Sequence, residues 1–199
     1  MLVCDPAVFL EIKKPKTKTT KKKNRKTIGI NIAAHGWKMQ DKHLTKVIKA
    51  YTGFCLKLEK LNYKIVYFKH SPGEEKAIEE LEKKVKLRVI RGSSKKLLKE
   101  YKKVDYFIGM MLHSTILAFN ANKPMISICY DHKNHDFMKL IGMNKYYLHY
   151  NKLNSKKIFE LFQKLKENEN KIQKNFKKKK KLLWKAHERF LRKVDKIRK

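Results

Sequence analysis

The chain has 199 residues, with 51 Lys and Arg against 18 Asp and Glu, for a formal charge of +33. Its 42% hydrophobic and 11% aromatic content is enough for a packed core and excludes a wholly disordered chain. No run approaches the length of a membrane-spanning helix, and three scattered cysteines (Cys4, Cys55 and Cys129) exclude a disulfide framework and a Cys-rich zinc site.

Residues 1–26 read as a junction segment and a Lys-rich linker, with nine basic and no acidic side chains over 13–26. An α/β domain is expected over 27–152. Its first strand is the β-branched run at 27–32, TIGINI. Apolar residues at 44, 47, 48, 51, 54, 55, 58 and 61 then form a helical stripe. A second strand follows at 64–68, KIVYF. Ser71-Pro72-Gly73 opens the next helix, with Glu74 and Glu75 in its first turn, where negative charge suits the dipole. A third strand is expected at 85–90, a helix capped by Ser93 or Ser94, and a fourth strand at 104–108. An apolar helix at 112–121 ends before Pro124, and a fifth strand spans 125–129. A helix near 136–141 and a weak strand at 146–149 complete the domain. Alternating strands and helices imply βαβ units, hence a Rossmann-like parallel sheet with right-handed crossovers.

Residues 153–199 read as one or two amphipathic, Lys-rich helices, interrupted at 168–170 and by the lysine run 177–181. Residues 171–199 hold 14 basic and two acidic side chains, so the excess charge is concentrated in the linker and the tail. Arg, the residue preferred for base readout, occurs six times against 45 Lys, so only nonspecific nucleic-acid attraction is expected. The start of the chain lacks a basic-then-apolar leader, which favours the cytoplasm. Lysines flanking Trp184 and Phe190 are also compatible with a membrane-peripheral position.

Ligands of an open parallel sheet bind beyond the carboxyl ends of its strands. Here those loops carry Ala33-Ala34-His35-Gly36-Trp37, His70-Ser71-Pro72-Gly73, Arg91-Gly92-Ser93-Ser94, the segment 109–114 (GMMLHS) and Tyr130-Asp131-His132-Lys133-Asn134. Imidazoles beside helix N-termini suit a small anion and proton transfer near neutrality. His132 and His135 with their flanking carboxylates form only a nominal metal pair, so a solvated loop is expected and no metal. No P-loop, Gly-x-Ser-x-Gly elbow or Gly-x-Gly-x-x-Gly fingerprint is present.

Residues 104–142 (VDYFIGMMLHSTILAFNANKPMISICYDHKNHDFMKLIG) resemble the C-terminal signature of the polysaccharide pyruvyl transferase family. The shared features are a strand ending in Gly-Met-Arg-Leu-His-Ser, an apolar helix, Pro-x-Ile-x-Ile-x-Tyr-Asp-x-Lys, and a Met-x-x-Leu-Gly segment, here Met138 to Gly142 with Ile at the Leu position. Asp5-Pro6-Ala7 resembles the motif at the junction of the family's two halves, so the likeness covers about residues 3–150. It implies the second domain of a glycosyltransferase-B-like fold that transfers pyruvyl from phosphoenolpyruvate to glycan hydroxyls as a cyclic ketal. Phosphoenolpyruvate is then the donor substrate and no cofactor is implied. The implied partners are a glycan acceptor and a separate chain supplying the N-terminal half. His113 matches the family's His and is assigned acid/base or donor contact. Leu112, Ser114, His35, Tyr130 and Lys133 are assigned to donor binding. The family's Arg before Leu-His is Met111 here, which removes a guanidinium expected to meet the donor's anionic groups. A noncatalytic α/β domain whose Lys-rich arms bind polyanions is the alternative expectation.

Overall fold

The computed structural model describes residues 6–10, 25–33 and 41–197. Six parallel strands form one sheet: β1 (Thr27–Ile30), β2 (Lys64–Phe68), β3 (Leu87–Ile90), β4 (Tyr106–Gly109), β5 (Met125–Cys129) and β6 (Tyr147–His149). Their spatial order is β3-β2-β1-β4-β5-β6. The β1, β4 and β5 side chains are all buried, as expected of a sheet covered on both faces. At Gly29 on β1, an added Cβ would meet the Phe107 ring at 2.6 Å and that of Phe68 at 2.9 Å, so only glycine admits both aromatics.

Among the described residues, seven α-helices complete the fold: α1 (Asp41–Lys60), α2 (Glu75–Glu82), α3 (Ser94–Tyr101), α4 (Leu112–Asn120), α5 (His132–Leu140), α6 (Ser155–Glu167) and α7 (Glu169–Ile197). The sheet is wound outward in both directions from the β1–β4 pair. Right-handed crossovers therefore put α1 and α2 on one face and α4 and α5 on the other. Helix α6 joins the first face. Its Phe162 meets Phe54, Tyr63 and Tyr106 edge-on, with ring centroids 5.8, 5.6 and 5.2 Å away.

Helix α7 crosses the amino edge of the sheet. Glu169 at its start accepts hydrogen bonds from Tyr106 (2.5 Å) and Lys26 (3.2 Å), at the entrances of β4 and β1. Further along, Asn175 donates to the carbonyl of Ile141 behind α5, and Lys180 to that of Asn120 at the end of α4. Ile172, Phe176 and Leu183 are its buried anchors.

Three local expectations differ from the structure. Helix α5 begins four residues earlier than expected because Asp131 caps it, accepting from the Lys133 backbone N–H at 2.9 Å. The lysine run 177–181 does not interrupt α7. Lysine is a good helix former, and its long stem carries the charge into water. The helix expected to open at Ser71-Pro72-Gly73 starts as a short 3-10 turn (Pro72–Glu74) with Glu74 buried, and α2 begins at Glu75. The break between α6 and α7 falls at Asn168, within the expected interruption. Among the described residues, no helix is long and apolar enough to cross a membrane.

Candidate active site

The strand order reverses between β1 and β4, and the crevice beyond their carboxyl ends is where a doubly wound sheet binds ligands. Asn31 follows β1 there. Its backbone joins the β4 exit, with its N–H donating to Ile108 and its carbonyl accepting from Met110. Its side chain is fully buried and ties three loops together. The amide nitrogen donates to the carbonyl of Phe68 (3.0 Å) and to Glu74 Oε2 (2.8 Å), while the amide oxygen accepts from the Met111 N–H (3.2 Å).

Glu74 is the hub beneath the loop after β2. Its Oε1 accepts from the backbone N–H groups of His70 (2.8 Å) and Ser71 (2.7 Å), and its Oε2 from Asn31 and the Tyr67 hydroxyl (3.0 Å). Burial pushes the carboxyl above its ordinary range, against these hydrogen bonds, which favour the ionised form. The network fixes the backbone from which His70 and helix α4 project.

The turn from β4 into α4 carries the segment singled out in the sequence. Gly109 admits the close approach of α4, since a Cβ there would meet Ser114 Oγ at 2.6 Å. Ser114 is buried, its hydroxyl donating to the Met111 carbonyl at 2.6 Å and reaching the Tyr101 phenol. It therefore shapes the turn from within. His113 is exposed in the first turn of α4, and Leu112 beside it is half-buried. The N–H groups of a helix's first turn lack intrahelical acceptors and present positive potential to an anion.

His70, from the loop after β2, stands next to His113. Its Nε2 is 2.8 Å from the Tyr101 hydroxyl. Burial first, and then the neighbouring His113, lower its pKa to about 4, so it is neutral at physiological pH. Two imidazoles thus share the crevice, one half-buried and neutral, the other facing solvent. Lys69 and Arg91, from the exits of β2 and β3, flank this edge and both pair with Glu75; the Arg91 contact is 3.2 Å.

On the β5 side Tyr130 is half-buried, and burial followed by the charge of Asp131 raises its pKa. Lys133 is exposed in the first turn of α5. The buried Asn134 donates to the Met110 carbonyl at 2.6 Å and binds this loop to the β4 turn. His35 lies outside the described residues. Met111 is half-buried against the core at the cap of α4, so its side chain contributes packing where a cation was expected. His132 lies 3.0 Å from Asp131, and His135 lies 3.5 Å from Asp136 while its ring packs on Tyr147. Among the described residues no group of three or more His, Cys, Asp or Glu is placed to hold a metal ion.

The sequence motif singles out His113 and its turn as candidates, but not the residues that hold them. Asn31 is signalled as the one amide in the apolar run TIGINIAA, and Glu74 by the Ser-x-x-Glu spacing from Ser71 that marks a capping box.

A family model described as polysaccharide pyruvyl transferase matches residues 1–132. No curated protein matches the chain. Among solved structures, a mutant O-GlcNAc transferase of Thermobaculum terrenum superposes with a TM-score of 0.59 at 10% identity, over 80% of this chain and 32% of that one. The glycosyltransferase SnogD of Streptomyces nogalater gives a TM-score of 0.46 at 12% identity, over 82% of this chain and 43% of that one. The first likeness shows a shared fold, and this chain spans 32% of that protein's length.

Proposed function

Because this chain belongs to the polysaccharide pyruvyl transferase family, we propose that its β1–β4 crevice binds phosphoenolpyruvate for transfer of the pyruvyl group to glycan hydroxyls. The observation that carries the proposal is the seating of His113 in the first turn of α4, beside His70 and over a turn locked by Asn31 and Glu74. An anionic donor fits there. The first-turn N–H groups of α4 face its phosphate or carboxylate, and the exposed His113 imidazole stands beside them as a candidate proton donor or acceptor.

In the proposed reaction a proton is delivered to C3 of the enol, leaving an oxocarbenium-like centre at C2. One sugar hydroxyl adds to C2 and loses its proton. The C2–O bond to phosphate breaks, and a second hydroxyl of the same sugar closes the ketal with loss of its own proton. His113 is assigned the proton transfer or the donor contact. Leu112 forms the adjacent wall, Tyr130 and Lys133 approach from the β5 loop, and His35 follows β1. Ser114 acts on this reading by shaping the turn. The missing guanidinium at Met111 leaves other cations at this edge, among them Lys133, Lys69 and Arg91.

The chain is proposed to correspond to the family's second domain, with the acceptor side of the cleft supplied by another domain or chain. The test is phosphate release from phosphoenolpyruvate in the presence of diol-bearing cell-wall glycans, with lysate fractions added to supply the other half. Release that requires both substrates and falls about 100-fold or more in His113→Ala is expected. Release that His113→Ala leaves unchanged would remove His113 from the chemistry.

A further inference from the structure

The end of the molecule opposite the crevice carries a second feature, built from both termini of the described chain. A short 3-10 turn (Pro6–Phe9) is held against α4 by the Asn120 side chain, which donates to the Ala7 carbonyl at 2.6 Å. Phe9 stacks on His187 of α7, with centroids 4.4 Å apart, and meets Trp184 edge-on at 5.4 Å. Beside them lies an open groove of about 470 Å³, walled by Val8, Phe9, Leu10 and Trp184, with Lys181, Lys185 and one carboxylate, Glu188, on its rim; Glu188 accepts the Trp184 indole N–H at 2.8 Å.

The surface around this groove is unusual in composition. Of the six large hydrophobic residues exposed among the described residues, Leu10 (47%) and Trp184 (47%) line the groove, and Leu191 (46%) lies further along α7. Trp184 and Leu191 are two helical turns apart and therefore share a face of α7. Lys181, Lys185 and Arg192 flank that face at spacings of four and seven, and two acids, Glu188 and Asp195, lie along it among them.

We propose that this groove and the adjoining face of α7 dock on an anionic phospholipid bilayer, with Leu10, Trp184 and Leu191 entering the interface and the flanking Lys and Arg meeting headgroup phosphates. Charge complementarity argues for that occupant. Lysine ammonium groups on long flexible stems suit a diffuse anionic plane, whereas base or carboxylate recognition favours arginine. Tryptophan is at home where an apolar region meets a wet one. Aliphatic side chains among the cations offer nothing to a phosphodiester backbone but gain free energy from acyl chains. The docking face lies along the amino edge of the sheet and the crevice at its carboxyl edge, so docking leaves the crevice open. The inference is therefore independent of the proposed chemistry.

The test uses the full chain carrying Trp37→Phe, so that Trp184 is the sole fluorophore of its kind. It is mixed with vesicles of phosphatidylcholine alone, or with phosphatidylglycerol added. Expected are co-sedimentation with the anionic vesicles only, a blue shift of Trp184 emission, and quenching by bromine-bearing acyl chains. Lys181→Glu/Lys185→Glu should bind at least about tenfold more weakly. Leu191→Ser, an exposed substitution that leaves folding intact, should bind a few-fold more weakly. The proposal is overturned by an absent blue shift, or by Leu191→Ser binding as tightly as wild type, which would reduce the interaction to surface charge. It is overturned equally if single-stranded RNA shifts Trp184 as strongly as vesicles do. A response to monomeric lysophosphatidylglycerol but not to vesicles would also overturn it, in favour of a pocket for one lipid.

Discussion

The side-chain amide of Asn31 donates to Glu74 Oε2 across 2.8 Å, joining the exit of β1 to the loop after β2, while its oxygen receives the N–H of Met111 at the head of α4. One buried amide thus sets the spacing of three loops. The carboxylate opposite it is held by donors only, and that polarity is what makes the pair sensitive to substitution.

Glu74→Gln tests that polarity at nearly constant volume. An amide must point its NH2 at one of two donor pairs, either the backbone N–H groups of His70 and Ser71 or the side chains of Asn31 and Tyr67. The expected loss is about 2–3 kcal/mol, the usual cost of buried donors left unsatisfied. Urea denaturation measures it. A loss within about 0.5 kcal/mol of zero would show that the network is not fixed as described.

Much of the fold was legible because apolar runs bounded by turn residues set the strands. The limits of β2 and β5 coincide with the runs KIVYF and MISIC. Of the candidate site, the sequence motif singles out His113 and its turn but not their supports. What holds the site depends on contacts between distant residues, such as His70 with Tyr101 or Asn31 with Glu74, and no local periodicity encodes them. Ser114 illustrates the reverse case. Its position in the turn was plain, but only packing against Tyr101 and Gly109 decides that its hydroxyl turns inward. The early start of α5 rests on a single cap, Asp131, in a stretch that reads equally well as a polar loop.

Acid should weaken the fold through His70. Its pKa falls from 6.5 to about 4 on folding, so the folded state favours the neutral ring. That contribution is complete above pH 6.5 and is lost as the pH falls toward about 4. Glu74 has the opposite sign: its raised pKa stabilises the fold at low pH, and that contribution is lost as the pH rises from 4.5 through the raised value. His70→Gln isolates the first effect. Relative to wild type it should gain on the order of 2 kcal/mol between neutrality and pH 4, read from urea midpoints across that range. A difference that does not change with pH would contradict the partial burial of a neutral imidazole.

Gly109→Ala should disturb the site more than the core. The added methyl meets Ser114 Oγ and the Phe107 ring, so the first turn of α4 must shift. A loss of about 1–3 kcal/mol is expected in thermal or urea unfolding, together with weaker phosphoenolpyruvate binding. Unchanged donor binding would separate the turn from the donor site.

Phe162→Ala probes the packing of α6 on α1. The ring is fully buried among Phe54, Tyr63 and Tyr106, and its removal should cost about 3–5 kcal/mol. Far-ultraviolet circular dichroism and urea unfolding check this. A cost below about 1 kcal/mol would mean that α6 is dispensable to the sheet.

On the proposed function, the turn at 109–114 forms an anion site whose ligand is phosphoenolpyruvate and whose contact is His113. Calorimetric titration of the folded chain with phosphoenolpyruvate, for wild type and His113→Ala at near-physiological salt, tests it most directly. Saturable binding at one site, weakened at least about tenfold in the variant while its circular dichroism stays unchanged, is the predicted result. Absence of binding to the folded wild-type chain, or equal affinity for both proteins, would contradict it.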